Sequence, residues 1–290
     1  MRHVNTHFKR PPRPASAGTP DPASARSHLT AFVATVKSTV SAIAPEPAVA
    51  NSVVVQPGGK TFSTIGAALN SITDASQKRQ YVVSIGAGVY AEVVICKPWV
   101  FLNGALTGQT TITAGSQASP FNKGVVKAAS NSALQNCAVE ATTTGTPGDW
   151  VTTVECQGAV NFDIENCVLL AEDPTNQTNV TALSIDDWAE SSGSQVNIAY
   201  SKVSAVGGAS PLAIATGWDS FAHAMESRLI AANGGSPGMG GGAIDQSTLL
   251  VESCYVQGAS FSLWQDDTGR ITANQCQLHG PVGPGVVVNP

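Results

Sequence analysis

The sequence predicts an all-β protein, a parallel β-helix solenoid with an N-terminal amphipathic capping helix. Three observations predict it. From residue 52 onward the chain is short β-branched runs separated by Gly, Asn, Asp and Ser. No sustained strand–helix alternation interrupts them, which excludes a doubly wound α/β fold. Six segments share one pattern at steps of 30, 34, 26, 27 and 22 residues, the size of one solenoid turn.

The N-terminal part differs from the rest. Residues 1–37 carry six Lys/Arg and one Asp, a net of +5, so the other 253 residues carry −10 of the chain's −5 total. An acidic body lacks the basic face that phosphate contacts need, which excludes nucleic acid as the main partner. Residues 1–26, rich in Pro, Ala and Ser, read as a disordered tail. No 7–15-residue apolar core precedes residue 28, so no secretory signal is evident. No run of ~18 apolar residues exists, so no membrane span is expected. Over 27–45, Leu29, Phe32, Val33, Val36, Val40 and Ile43 fall at helical spacing, Ser27 suits an N-cap, and Pro45 ends the pattern. This is the capping helix.

The solenoid is expected over 52–290. A short helix lies within it at 62–72, with Ile65, Ala68, Leu69 and Ile72 on one face. The repeated segments align Cys137, Cys167, Ser201, Ser227, Cys254 and Cys276 in one phase. Successive turns of a parallel stack lie ~4.8 Å apart, so equivalent side chains must match in size. The cysteines are therefore expected as buried small thiols. Disulfides between neighbouring turns are the alternative, because that spacing also falls within bonding range.

The strand before each repeat suggests a site. Aligning Val154-Glu155, Ile185-Asp186, Ile214-Ala215, Ile244-Asp245 and Trp264-Gln265 places Glu155, Asp186, Ala215, Asp245 and Gln265 in one outward column. Trp and acid recur together, as Asp187-Trp188, Trp218-Asp219 and Trp264 near Asp266. Aromatic faces stack on sugars and carboxylates accept sugar hydroxyls, so Glu155, Asp186, Trp188, Trp218, Asp245 and Trp264 are the candidate substrate-binding residues for an extended polysaccharide. G-x-S-x-G occurs only as Gly234-Gly235-Ser236-Pro237-Gly238, a chance glycine pattern without strand–helix context, and no C-x-x-C, H-x-H or H-E-x-x-H occurs, which argues against a serine hydrolase of the α/β type and against zinc; no metal or cofactor is expected. His223 and His279 have no evident carboxylate partner and read as surface side chains. The glycine-rich stretch 234–242 reads as a loop.

One stretch carries a family resemblance. Val53-Val54-Val55-Gln56-Pro57-Gly58-Gly59-Lys60-Thr61-Phe62-Ser63-Thr64-Ile65 precedes a helix, then comes Ile85-Gly86-Ala87-Gly88-Val89-Tyr90-Ala91-Glu92, then Leu102-Asn103-Gly104. This resembles the opening of the pectin methylesterases, which implies a right-handed β-helix of the pectin-lyase type, a pectin-like polysaccharide partner and an extracellular setting. Family catalysis uses an aspartate nucleophile, a second aspartate as acid/base, oxyanion-stabilising glutamines and an orienting arginine. Trp264-Gln265-Asp266-Asp267-Thr268 resembles the family's Y-Q-D-T segment, making Gln265 and Asp266 the implied catalytic residues. Gly269-Arg270 and Gln275-Cys276-Gln277-Leu278-His279-Gly280 continue the likeness. The next turn should supply the nucleophile, but Gly283 or Pro284 stands near its place, and neither can attack a carbonyl. The downstream arginine segment has no counterpart. The resemblance therefore implies a pectinesterase-like polysaccharide-binding protein without the family mechanism. An active carbohydrate esterase or other polysaccharide-modifying enzyme working through a rearranged acidic site, and a structural or host-interaction β-helix without a sugar ligand, are the alternatives.

Overall fold

The structure is a computed structural model that describes residues 51–115, 124–143, 150–176, 178–186, 193–232 and 238–290, with Asp186 described by its backbone alone. The tail and capping helix expected over 1–45 lie outside the described residues. The described chain winds into three sheets of ten, eight and seven strands, in which every pairing between neighbouring strands is parallel. Each full turn visits the first sheet, then the second, then the third. One such turn is Phe162–Glu165, Val168–Asp173 and Asn179–Asp186; the next is Gln195–Ala199, Lys202–Gly207 and Ser210–Thr216. This is the expected parallel β-helix, and the repeat steps are its register. The residues following the six rungs pair in succession as Ala138, Val168, Lys202, Arg228, Tyr255 and Gln277.

The rungs form a buried seam. Cys137, Cys167, Ser201, Ser227 and Cys254 are all 4% exposed or less, and Cys276 is half-buried. Each lower side chain reaches the backbone of the rung before it. Cys167 N–H donates to Ser201 Oγ at 3.0 Å, Ser201 N–H to Ser227 Oγ at 3.1 Å, and Ser227 N–H to Cys254 Sγ at 3.4 Å. Cys137 and Cys167 stand with their Sγ atoms 3.9 Å apart as free thiols, far beyond a bonded S–S length. A second seam, not foreseen, runs through Ser194, Ser220 and Ser247 at the corner between the third and first sheets.

The residue before each rung turns the corner from the first sheet to the second. Asn136, Asn166, Tyr200, Glu226, Ser253 and Gln275 all hold φ between 44° and 55°. Asn tolerates this left-handed geometry, and its amide adds a ladder: Asn166 Nδ2 donates to Asn136 Oδ1, and Asn136 Nδ2 to Asn103 Oδ1. Tyr200 and Glu226 add no side-chain ladder; their backbone N–H groups bond the next coil, Tyr200 to Met225 O at 3.3 Å and Glu226 to Glu252 O at 3.0 Å.

The short helix forms as read, with α1 spanning Ile65–Ser71 and burying Ile65, Ala68 and Leu69. Thr64 caps it, its Oγ1 accepting from Ala67 N–H. A second cap comes from a later segment of the same chain, where the Glu92 carboxylate accepts from Ile65 N–H at 2.8 Å and Gly66 N–H at 2.9 Å. A negative charge here answers both the unpaired N–H groups and the helix dipole. The glycine-rich stretch departs from its loop reading, because Met239–Ala243 is a strand of the third sheet. Gly240 and Gly241 are glycine for lack of room: an added Cβ would lie 2.6 Å from Val256 Cγ1 at Gly240 and 2.8 Å from Leu249 Cδ2 at Gly241.

Among the described residues no helix is long and apolar enough to cross a membrane. Two substitutions test the register. Cys167→Arg places an unpaired charge on a rung that is 1% exposed, so no soluble folded protein is expected. Recovery of that variant with unchanged melting refutes the seam. Glu226→Asn moves a tolerant residue into the left-handed corner and is expected to stabilise by roughly 0.5–1 kcal/mol in urea unfolding.

Candidate functional site

The third sheet carries the candidate site, and its register corrects the expected acidic column. Two successive positions of each strand are buried, for example Thr153 with Val154 and Ala182 with Leu183, and no strand pairing is made at the first of the two. Strict alternation fails there. The true columns follow. Val154, Leu183, Ile214, Gly241 and Leu263 share one; Glu155, Ser184, Ala215, Gly242 and Trp264 share the next, with Lys127 before Glu155. Glu155 and Ala215 are therefore the only two expected members in register. Asp186 pairs with Gln157, two positions further along, Gln265 pairs with Ala243, and Asp245 lies beyond the strands in a turn with φ 51°.

The structure nevertheless gathers five of the named residues. The turns 217–220, 244–247 and 266–269 stack on one another after the last strands of the third sheet. Asp219 N–H donates to Asp245 O at 3.1 Å, and Asp245 N–H donates to Asp266 Oδ2 at 3.3 Å. Trp218, Asp245, Trp264, Gln265 and Asp266 are thus neighbours at the end of the sheet. Glu155 lies further along the column, and Trp188 and the Asp186 side chain lie outside the described residues.

Asp266 is tied into its own turn. Its Oδ1 accepts from Thr268 N–H and Thr268 Oγ1, both at 2.9 Å, and from Gly269 N–H at 2.6 Å. Burial alone would raise its pKa, but these bonds outweigh it and hold the carboxyl below its ordinary value. Gly269 is needed beside it, since a Cβ there would sit 2.2 Å from Ala243 O. Gln265 is also engaged, its Oε1 accepting from Ile271 N–H at 2.7 Å. The next coil closes over Trp264 and Gln265. Gly283 N–H donates to Leu263 O at 2.8 Å, and an added Cβ at Gly283 would fall 2.9 Å from Trp264 Cδ1 and 3.1 Å from its Cα. A Cβ at Gly285 would fall 2.6 Å from Gln265 Nε2.

The rest of the column carries small side chains, with Ser184 only 4% exposed. Above Gly242 an added Cβ meets nothing nearer than 3.9 Å, Ala215 is half-buried, and Trp264 closes the end, also half-buried. At the other end a cleft of about 240 Å³ is lined by Ile95, Lys127, Ala128, Glu155 and Gln157. Glu155 is only 4% exposed and accepts from Gly124 N–H at 3.1 Å. The four steps from Glu155 to Trp264 span about 19 Å at the parallel strand spacing. Lys127 escaped the sequence reading; extending the strand alignment one coil upstream from Glu155 would have found it.

His223 also differs from expectation. Its Nε2 lies 2.8 Å from Glu252 Oε2, on the outer face of the first sheet, and Asn274 Nδ2 donates to the same carboxylate. His279 packs against Tyr255, with ring centroids 4.7 Å apart.

The carboxylates in turns give an acid-lability test. Asp173, 0% exposed, receives N–H and Oγ1 donors from both Thr175 and Thr178. Burial pushes it up, but these four bonds bring it well below the usual carboxylate range. Folded pKa values below the unfolded ~3.9 mean that Asp173 and Asp266 contribute fully above that pH and lose their contribution as pH falls through the folded values. The melting temperature is expected to drop below about pH 4. Asp173→Asn should be less stable at pH 7 yet show a shallower acid slope, measured by thermal melts from pH 7 to 2.

No protein-family profile matches the chain, and no curated protein sequence matches it. Solved structures do. The pectin methylesterase from carrot superposes with a TM-score of 0.56 at 17% identity, over 83% of this chain and 89% of that one. A pectin methylesterase from Aspergillus niger in deglycosylated form gives 0.56 at 15% identity, over 85% and 82%. A pectin methylesterase crystallised with a hexasaccharide gives 0.56 at 14% identity, over 82% and 80%. Together with the three parallel sheets, these likenesses show that the chain has the right-handed parallel β-helix fold found in pectin methylesterases.

Proposed function

We propose that this protein binds an extended pectin-like polysaccharide along the outer face of the third sheet, and does not hydrolyse its esters by the pectin methylesterase route. The observation that carries the reading is Gly283 against Trp264. Where the resemblance expects a nucleophilic aspartate, the backbone lies so close to the indole that no side chain fits without displacing it. Catalysis by that route needs a carboxylate at this point, and none stands there. Asp266 is poorly placed to serve as an acid, because its turn bonds favour the ionised form.

Binding has better support. Trp264 presents a partly open aromatic surface, Ala215 and Gly242 leave room beside it, and Glu155 with Lys127 brings both charges to the far cleft. Apolar sugar faces suit the first, and hydroxyl or uronate groups suit the second. A solved relative in fold carries a hexasaccharide. Polysaccharide binding also fits a fold that offers one long regular face rather than an enclosed pocket.

The test combines two readouts on the full chain. Affinity electrophoresis in gels containing low-ester pectin, methylated pectin or unrelated glycans should retard the protein in the pectins only. Trp264→Ala should weaken that binding roughly tenfold, about 1.4 kcal/mol. Methanol release from methylated pectin should stay at background and be unchanged in Asp266→Asn. Release well above background that disappears in Asp266→Asn overturns the non-catalytic reading. Equal mobility in every gel overturns the binding reading.

A further inference from the structure

The cysteine seam ends in a different environment from the one in which it begins. Cys137 and Cys167 are sealed, 0% and 1% exposed, whereas Cys276 is half-buried and is the last rung among the described residues. The strand that follows it, Gln277–His279, is at the edge of the second sheet and pairs only with Tyr255–Gln257. Cys254 is directly beneath it. The residues after the two cysteines are register partners, and Gln277 N–H donates to Cys254 O at 2.9 Å. Parallel neighbours at ~4.8 Å fall within the Cα separation a disulfide spans.

Each thiol points at backbone carbonyls of its own coil and the coil before. The neighbouring Cys254 thiol brings Cys276 down to about 7, while the Cys276 thiol and burial push Cys254 far up. One member of the pair is therefore reachable and thiolate-prone, and the other is an adjacent resolving thiol. Redox-reactive cysteines combine these features.

We propose that Cys276 and Cys254 form a thiol modification site at which a hydroperoxide drives closure of a disulfide between consecutive coils. The Cys276 thiolate attacks a peroxide oxygen; the S–O bond forms as the O–O bond breaks, and the departing oxygen takes a proton and leaves as water or alcohol. Cys254 then attacks the sulfenic sulfur; the S–S bond forms, the S–O bond breaks, and water leaves with the Cys254 proton. Two thiols are oxidised by two electrons and one peroxide is reduced. The product fastens the end coil to the coil below it, independently of any glycan bound on the third sheet.

The test uses the reduced full chain. A short iodoacetamide pulse at neutral pH should label Cys276 at least roughly tenfold faster than Cys96, Cys137, Cys156 or Cys167. Stoichiometric hydrogen peroxide should then yield one cross-linked peptide joining Cys254 to Cys276. In Cys254→Ser the oxidised species should remain a dimedone-reactive sulfenic acid on Cys276. The Cys137–Cys167 pair is the internal control, since its thiols are also adjacent but wholly enclosed. Labelling of Cys276 no faster than the enclosed cysteines, no cross-link, or a 137–167 cross-link forming as readily as 254–276, overturns the proposal.

Discussion

Everything in this molecule depends on one constraint, the parallel stacking of each coil on the last at the strand spacing of ~4.8 Å. A side chain's closest neighbours are its own equivalents one turn away, so like must lie on like. The seam of Cys and Ser side chains satisfies this with small groups that also reach the backbone of the preceding rung. The corners satisfy it with left-handed residues, including Tyr200 and Glu226, which would avoid that geometry elsewhere. Where two coils come closest, only glycine remains possible, as at Gly240 and Gly269.

That constraint explains which parts of the structure were legible. The rung is one residue wide, always small and always followed two positions later by Val or Leu, so six copies could be aligned without knowing the fold. The helix at Ile65–Ser71 was legible for the same reason, a clean apolar stripe after Thr64. The third sheet was not. Val154 pairs with Leu183 and Cys156 with Ile185, so setting Val154 against Ile185 slips the strands by two residues along the same face. Chain composition gives no sign of that slip, because Leu183-Ser184 and Ile185-Asp186 both set an apolar residue before a polar one. His223 and Glu252 were missed because they are 29 residues apart and meet only through coil register.

The family resemblance divides in the same way. Its first stretch is architectural: Glu92 caps α1, Tyr90 Oη donates to Gly86 O at 3.0 Å, and Gly88 holds φ 149°. Such residues persist wherever the coil persists, whatever the protein does, which is why they announce the fold and say little of the chemistry. In the later stretch Asp266 and Gln265 resemble a catalytic motif in sequence, but their hydrogen bonds go to the turn and the next strand. Sequence can show that a carboxylate is present; it cannot show that its lone pairs are already occupied.

The unequal lengths of the coils have a consequence for how such a chain can change. Steps between rungs run from 22 to 34 residues, yet the register pairs after every rung remain intact. The surplus is shared between the turns and longer strands, such as the eight residues of Asn179–Asp186 against the five of Phe261–Gln265. A coil is therefore an exchangeable genetic cassette: a duplication or excision that begins and ends at equivalent rungs, from Ser201 to Ser227 for instance, restores Ser on Ser and leaves both flanking coils with compatible faces. Growth by whole coils lengthens the outer face in increments of one strand spacing, so lineages built this way can lengthen or shorten that face without redesigning what lies within.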